Sequence, residues 1–221
     1  MKDYFVILRQ NSLKMTKIKN LIFDLGNVII DLDMERTFAQ LRHYLGADYE
    51  TALKNLFDKN IFIEYEIGNM SETEFLHHLR AVADMPVGIG QLRDAWNAML
   101  LDIPLKRLEM LERLKQKYQV FLLSNTNDSH LYYVHGYLKT IYGIEDFEER
   151  FFHRPYYSHL LGLRKPNRDI YEFILKDAQL KAEETMFFDD MLANVKGAQS
   201  VGIQAVLHPA GAEIMDVLRD F

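Results

Sequence analysis

The sequence predicts an α/β fold: a parallel sheet flanked by helices, with a helical insertion near its start. Three observations carry the prediction. Short apolar runs recur at residues 21–23, 120–123 and 186–188, each of a length suited to a strand buried on both faces. Beyond Pro104, strand signals alternate with helical periodicity, which implies right-handed crossovers and a parallel sheet. Between residues 35 and 101 no strand signal of comparable strength appears, and apolar residues follow three- and four-residue steps.

Residues 1–17 read as an N-terminal extension. Within them 4–8 has the composition of an edge strand, and Met15-Thr16-Lys17 would be a natural start for a domain opening at Ile18. Residues 21–23 form the first strand. Phe38, Leu41, Tyr44 and Leu45 mark a helix. Ser71-Glu72-Thr73-Glu74 is a capping-box start, with Phe75, Leu76 and Leu79 as the apolar face behind it. Gly88 and Gly90 break the chain before Leu92, Trp96 and Leu100. Residues 105–118 read as an amphipathic helix, 120–123 as a strand, and a helix-like stretch follows. Further on, 169–177 reads as helix, 185–188 as strand, 193–201 as a helix ended by Gly202, and 204–207 as strand. The division is therefore an extension at 1–17, a Rossmann-like core from 18–33 and 104–221, and a helical insert at 34–103.

The 221 residues suffice for one α/β core plus an insertion. With 48% hydrophobic and 26% charged residues, the composition is that of a soluble globular protein. A net charge of -6 and the lack of a long basic run argue against a nucleic-acid partner. The chain has no cysteine, which excludes disulfides and thiol chemistry. No apolar stretch approaches the roughly 18 residues of a membrane span. Asp3, Arg9, Lys14 and Lys17 interrupt any signal-peptide core, so the expected location is cytoplasmic.

In an open parallel sheet, ligands bind at the carboxyl ends of the strands. Four stretches are candidates for that edge: Phe23-Asp24-Leu25-Gly26-Asn27-Val28, Leu123-Ser124-Asn125-Thr126, Arg164-Lys165-Pro166, and Phe187-Phe188-Asp189-Asp190 followed by Asn194. All their polar groups except Lys165 follow an apolar run. Taken singly, each has a bland reading. An Asp or a Ser-Asn pair after a strand is usually a turn or helix cap, and a Lys before Pro is usually solvated. Adjacent Asp189 and Asp190 differ, because two acids directly after three apolar residues are costly without a cation, though a cap explains one of them. Together these groups suit Mg²⁺-assisted transfer of a phosphoryl group to Asp24.

In order, spacing and strand context the four stretches resemble the haloacid dehalogenase (HAD)-like hydrolase superfamily, over about residues 19–205. The run Phe-Asp-Leu-Gly-Asn-Val is similar to the sugar-phosphatase branch that includes bacterial α-D-glucose-1-phosphate phosphatase. The resemblance implies a Mg²⁺-dependent phosphatase acting on a small phosphorylated metabolite, as a monomer or homodimer. Asp24 would be the nucleophile, forming an acyl phosphate. Lys165 and Mg²⁺ would supply positive charge to two approaching anions. Asp24, Asp190 and the backbone carbonyl of Gly26 would hold the metal, with Asp189 one step out, holding metal-bound water. Ser124, the Asn125 amide and Lys165 would bind phosphate oxygens. Asn194 would steady the Asp190 loop or Lys165. The insert at 34–103 would be an α-helical cap that covers the site, with Glu64, Tyr65, His77, His78 and Trp96 as its polar or aromatic candidates.

One position departs from the family pattern. Most phosphatases of the superfamily carry an acid/base Asp two residues after the nucleophile, and here Gly26 stands there. Three readings follow: a substrate whose leaving group needs little protonation, such as an anomeric sugar oxygen; a cap residue or ordered water acting instead; or a catalytically weak or inactive binding or regulatory protein. Asp31 and Asp33 read as turn and helix-capping residues. Hydrolysis of a carbon–halogen bond is a further reading, but it needs no metal and would leave Asp189 and Asp190 as surplus negative charge. His130, His135, His153 and His159 lack the i,i+4 spacing of a helical zinc pair.

Overall fold

The computed structural model describes residues 17–218. Strand β1 (Asn20–Phe23) lies at the centre of a five-stranded sheet in the order β3-β2-β1-β4-β5. The others are β2 (Gln119–Ser124), β3 (Arg154–Tyr157), β4 (Thr185–Asp189) and β5 (Gln204–Leu207). Every pairing is parallel, and Asn20 stands opposite both Gln119 and Thr185. All four residues of β1 are buried, as a central strand between two helical layers demands.

Strand alternation divides the apolar residues between two faces. Leu21, Phe23, Leu122 and Phe188 pack with Leu108 and Leu111 of α6 (Leu105–Lys115), with Leu131 and Val134 of α7 (Asp128–Tyr142), and with α8 (Phe147–Phe151) and α12 (Ile214–Val217). On the other face, Ile22, Phe121, Leu123 and Phe187 meet Ile170, Tyr171 and Ile174 of α10 (Arg168–Asp177) and Ala198 of α11 (Leu192–Gln199). Helix α6 stops at Lys115, three residues short of the expected end.

The helix-like stretch expected beyond Ser124 is α7, whereas β3, which comes after it, has no counterpart among the expected strands. Its sequence, Arg-Pro-Tyr-Tyr, lacks an apolar run, and Pro155 has no N–H to give to a ladder. The structure tolerates this because β3 is an edge strand, paired to β2 alone with Pro155 opposite Leu122. A short helix, α9 (Ser158–Leu161), follows it directly. The edge strand expected at 4–8 lies outside the described residues.

The insert is helical throughout: α1 (Met34–Leu45), α2 (Tyr49–Asp58), α3 (Ile61–Glu66), α4 (Glu72–Ala81) and α5 (Ile89–Asn97). Asp33 caps α1, its side chain accepting from the Glu35 amide, and Ser71 and Glu74 form a reciprocal capping box on α4. These helices enclose an apolar cluster of their own, including Leu41, Leu56, Phe75, Leu76, Leu79 and Leu92. Phe75 is fully buried and stacks on Tyr65 at 4.3 Å, so truncating it to Ala costs about 3–5 kcal/mol. The insert leaves and rejoins the core through paired linkers: Asp31 N donates to Asp102 O at 3.0 Å and Leu101 N to Asp31 O at 2.9 Å. Among the described residues, no helix is long and apolar enough to cross a membrane.

Candidate active site

Because β1, β2 and β4 are parallel neighbours, their carboxyl ends deliver Asp24, Ser124, Asp189 and Asp190 to one edge. Asp24 follows β1, and its N–H extends the ladder to Phe188 O at 2.9 Å. Its Oδ1 accepts the Leu25 amide at 2.7 Å and lies 2.7 Å from Lys165 Nζ. Lys165 comes from the loop before α10, yet it is 1% exposed, which removes the solvated reading. Its ammonium also donates to Asp189 Oδ2 at 2.7 Å and to Leu123 O at 3.0 Å.

Asp189 is fully buried and saturated. Its Oδ1 accepts Met191 N at 2.8 Å and Asn194 Nδ2 at 3.0 Å, while Oδ2 accepts Lys165 and, at 3.1 Å, Asn194 again. One expectation changes here. Asn194 steadies Asp189 rather than the Asp190 loop or Lys165, because α11 starts at Leu192 and its first turn faces back on β4. Asp189 accepts four hydrogen bonds from three protein donors on its two oxygens, and so anchors Lys165. Asp190 is half-buried, and its Oδ2 accepts Asn27 Nδ2 at 2.8 Å.

Asp24, Asp189 and Asp190 each offer an oxygen, and these atoms lie within 4.8 Å of one another. Three carboxylates against one ammonium leave two unbalanced negative charges, a set suited to a divalent oxygen-seeking cation. Burial raises the Asp24 carboxyl from 3.8 to about 7, with Lys165 opposing and Asp189 adding to the rise. Lys165 is held above its ordinary value: burial acts against it, but Asp24 and Asp189 together win. Taken as one ion pair, the two shifts conflict. The conflict resolves once Lys165 is seen to serve two carboxylates, of which Asp24 receives only a share.

Ser124 is buried at the end of β2, and among the described residues its hydroxyl makes one long contact, 3.5 Å to Asn125 O. The Asn125 side chain is committed to Lys165: Nδ2 donates to its carbonyl and Oδ1 accepts its amide, both at 2.9 Å. This clamp joins the loop after β2 to the Lys165 loop. At Gly26, a Cβ would meet Leu32 Cδ1 at 2.6 Å, so a leucine methyl fills the space an acid there would need.

The helical insert reaches the same loops. Tyr65 donates to Asp128 Oδ1 at 2.6 Å, beside the Ser124–Thr126 segment. Trp96 stacks on His130 with ring centroids 5.1 Å apart. His77 and His78 are exposed on α4, and Glu64 binds Asn69. Glu66, unremarked in the sequence, accepts Arg164 Nε at 2.7 Å, and Ser158 Oγ donates to its carbonyl at 2.6 Å. Nothing in the sequence pairs residues so far apart. Asp31 binds Arg107 at 2.8 Å, and Asp33 serves as the helix cap described above. His135 pairs with Glu148, and His153 Nδ1 accepts Val120 N, so these histidines are spent on structure.

Comparison with known proteins agrees with this fold. The haloacid dehalogenase-like hydrolase family matches residues 18–202. D-ribitol-5-phosphate phosphatase of Bacteroides thetaiotaomicron is 29% identical over 198 residues, spanning 89% of this chain and 94% of that protein. The crystal structure of a HAD-family enzyme from the same organism superposes with a TM-score of 0.85 at 33% identity, covering 92% of this chain and 100% of that one. A crystal structure of a HAD-family enzyme of that organism in complex with magnesium and inorganic phosphate gives a TM-score of 0.78 at 34% identity, covering 91% and 100%. By its fold, its ordered motifs and these matches, the chain belongs to the haloacid dehalogenase-like hydrolases.

Proposed function

We propose that the protein is a Mg²⁺-dependent phosphatase that hydrolyses a small sugar or sugar-alcohol phosphate through a phosphoryl group carried on Asp24. The observation that carries this reading is the buried cluster in which Asp24 and Asp189 share Lys165 beside Asp190. Asp24, Asp190 and the Gly26 carbonyl would hold the cation. When bound, it would offset the charge of two anions brought together and polarise the phosphate oxygens.

The remaining roles belong to the chain's own groups. Asp24 attacks phosphorus as the bond from phosphorus to the leaving oxygen breaks, and that oxygen takes a proton from an ordered water or a cap residue; a water, giving up a proton, then attacks the phosphorus of the acyl phosphate, releasing inorganic phosphate and the Asp24 carboxylate. Lys165 lies against Asp24 and lessens the repulsion in that approach. Ser124 Oγ and the Asn125 amide hold phosphate oxygens. The helical insert acts as a cap. Through Tyr65, Glu66 and Trp96 it rests on the loops after β2 and before α10, where it excludes water and reads the leaving group. Similarity to a ribitol-5-phosphate phosphatase supports the substrate class.

The test is a screen of phosphorylated sugars, sugar alcohols and trioses with and without Mg²⁺, run alongside Asp24→Asn. Turnover should require Mg²⁺ and vanish in the variant. Undiminished hydrolysis in excess chelator or by Asp24→Asn would sink the mechanism. Gly26 favours one other reading, a binding protein of the same fold; it would take up phosphate esters with Mg²⁺ and release them intact.

A further inference from the structure

We infer that Asn27 is a positioning residue for Asp190, fixing which carboxylate oxygen is presented to the cation; the inference rests on the metal-dependent reading above. Asn27 has φ 53, in the left-handed region that Asn enters more readily than most residues. The turn is closed by its own N–H, which donates to Ile30 O at 2.7 Å. Its carboxamide then spans two loops. Oδ1 accepts the Leu32 amide at 3.1 Å, and Nδ2 donates to Asp190 Oδ2 at 2.8 Å. The Leu32 N–H can only donate, so it dictates the orientation of the carboxamide and turns the NH₂ group toward Asp190.

Two features separate this contact from ordinary turn chemistry. First, it engages one oxygen of Asp190. Asp189 next door has both oxygens filled, whereas Oδ1 of Asp190 receives no hydrogen bond from the described residues. Second, the donor is neutral. A lysine or arginine in its place would cancel one of the two unbalanced charges that draw a divalent cation, and an amide aligns the carboxylate without doing so. Partners of this kind, which orient a metal ligand without touching the metal, typically account for about 10–100-fold in metal affinity. The same bracket holds Leu32, whose methyl covers Gly26, so one side chain organises the turn that carries a proposed carbonyl ligand and the acid that faces it.

Asn27→Gly isolates this role, because glycine keeps the left-handed turn and removes the carboxamide. Titration calorimetry of Mg²⁺ into the metal-free protein should show binding roughly 10-fold or more weaker than in the wild type. At saturating Mg²⁺, turnover should recover to within a few-fold, and the melting temperature in chelator should change little. Asn27→Ser, which keeps a polar residue but is too short to span both loops, should behave the same way and serves if the glycine variant folds poorly. Equal Mg²⁺ affinity in wild type and variants, or a loss of turnover that saturating Mg²⁺ leaves uncorrected, would overturn the inference while leaving the metal-dependent reading intact. A wild type that takes up no Mg²⁺ would overturn both.

Discussion

Asp24→Asn should do more than stop turnover: in the absence of metal it should stabilise the protein. Asp24 is 8% exposed, and burial lifts its carboxyl from 3.8 to about 7 against the pull of Lys165. A folded-state value above the unfolded one means that the native state holds the proton more tightly. The resulting stability is complete below 3.8, drains away as pH rises toward 7, and is absent above it. A gap of about three units corresponds to about 4 kcal/mol of strain on the charged form. Asparagine keeps the shape and an acceptor for Leu25 N, and Lys165 keeps Asp189 as a partner. A realistic gain is therefore about 2–4 kcal/mol, or about 4–15 °C in melting temperature for a chain of this size. The assay is differential scanning calorimetry in excess chelator from pH 5 to 8.5. The variant's advantage should be largest near pH 8 and shrink toward pH 5, and Mg²⁺ should narrow it by binding the wild type more tightly. A variant that melts no higher than wild type at pH 8, or an advantage flat with pH, would show that Lys165 and the loop donors outweigh burial.

Three further perturbations follow from Gly26 and from the buried His130. With Gly26 where an acid would stand, the wild-type rate should fall steeply as leaving-group pKa rises, by up to about 3–5 kcal/mol for primary alcohols; a flat dependence would place the proton donor elsewhere. Gly26→Asp alone must displace the Leu32 methyl, so any gain on primary phosphates should be larger in Gly26→Asp/Leu32→Ala, and equal rates in the two would refute the steric argument. Burial holds His130 down to about 4, so the unfolded chain takes up its proton first on acidification, and stability drains between about pH 6.5 and 4 at about 1.4 kcal/mol per pH unit. Urea unfolding at pH 7.5, 6 and 5 should show this slope reduced in His130→Gln, and an unchanged slope would assign the acid sensitivity to other groups.

The central part of the fold was legible because burial on both faces leaves a mark in sequence. Strands β1, β2 and β4 each carry a compact run of apolar residues, and the carboxylates and Ser124 stand directly after those runs. Strand β3 left no such mark, since an edge strand with a proline needs neither two apolar faces nor every amide. The site was legible as positions more than as contacts. Lys165 could be placed by its order among the motifs, but its burial depends on Leu123 and Asp189, which the loop before α10 reaches only in three dimensions. The four-residue interval set Asn194 against the Asp190 loop or Lys165, whereas the start of α11 sets it against Asp189. Asn27 was invisible as a contact because its partner, Asp190, follows a different strand. The Glu66–Arg164 pair was invisible for the same reason.

The central place of β1 in the sheet also sets the order in which the molecule is assembled during synthesis. β1 is made well before its two neighbours, which lie at Gln119 and Thr185. The apolar cluster of α1–α5 draws its buried residues from Leu41 to Ala95 and is complete before either arrives. The helical insert can therefore condense while the strand bearing Asp24, apolar on both sides, has nothing to pair with. Pairings this distant in sequence form slowly, and the exposed strand is meanwhile available to other chains. On the ribosome, the helical insert is complete before the sheet that carries Asp24 has begun to close.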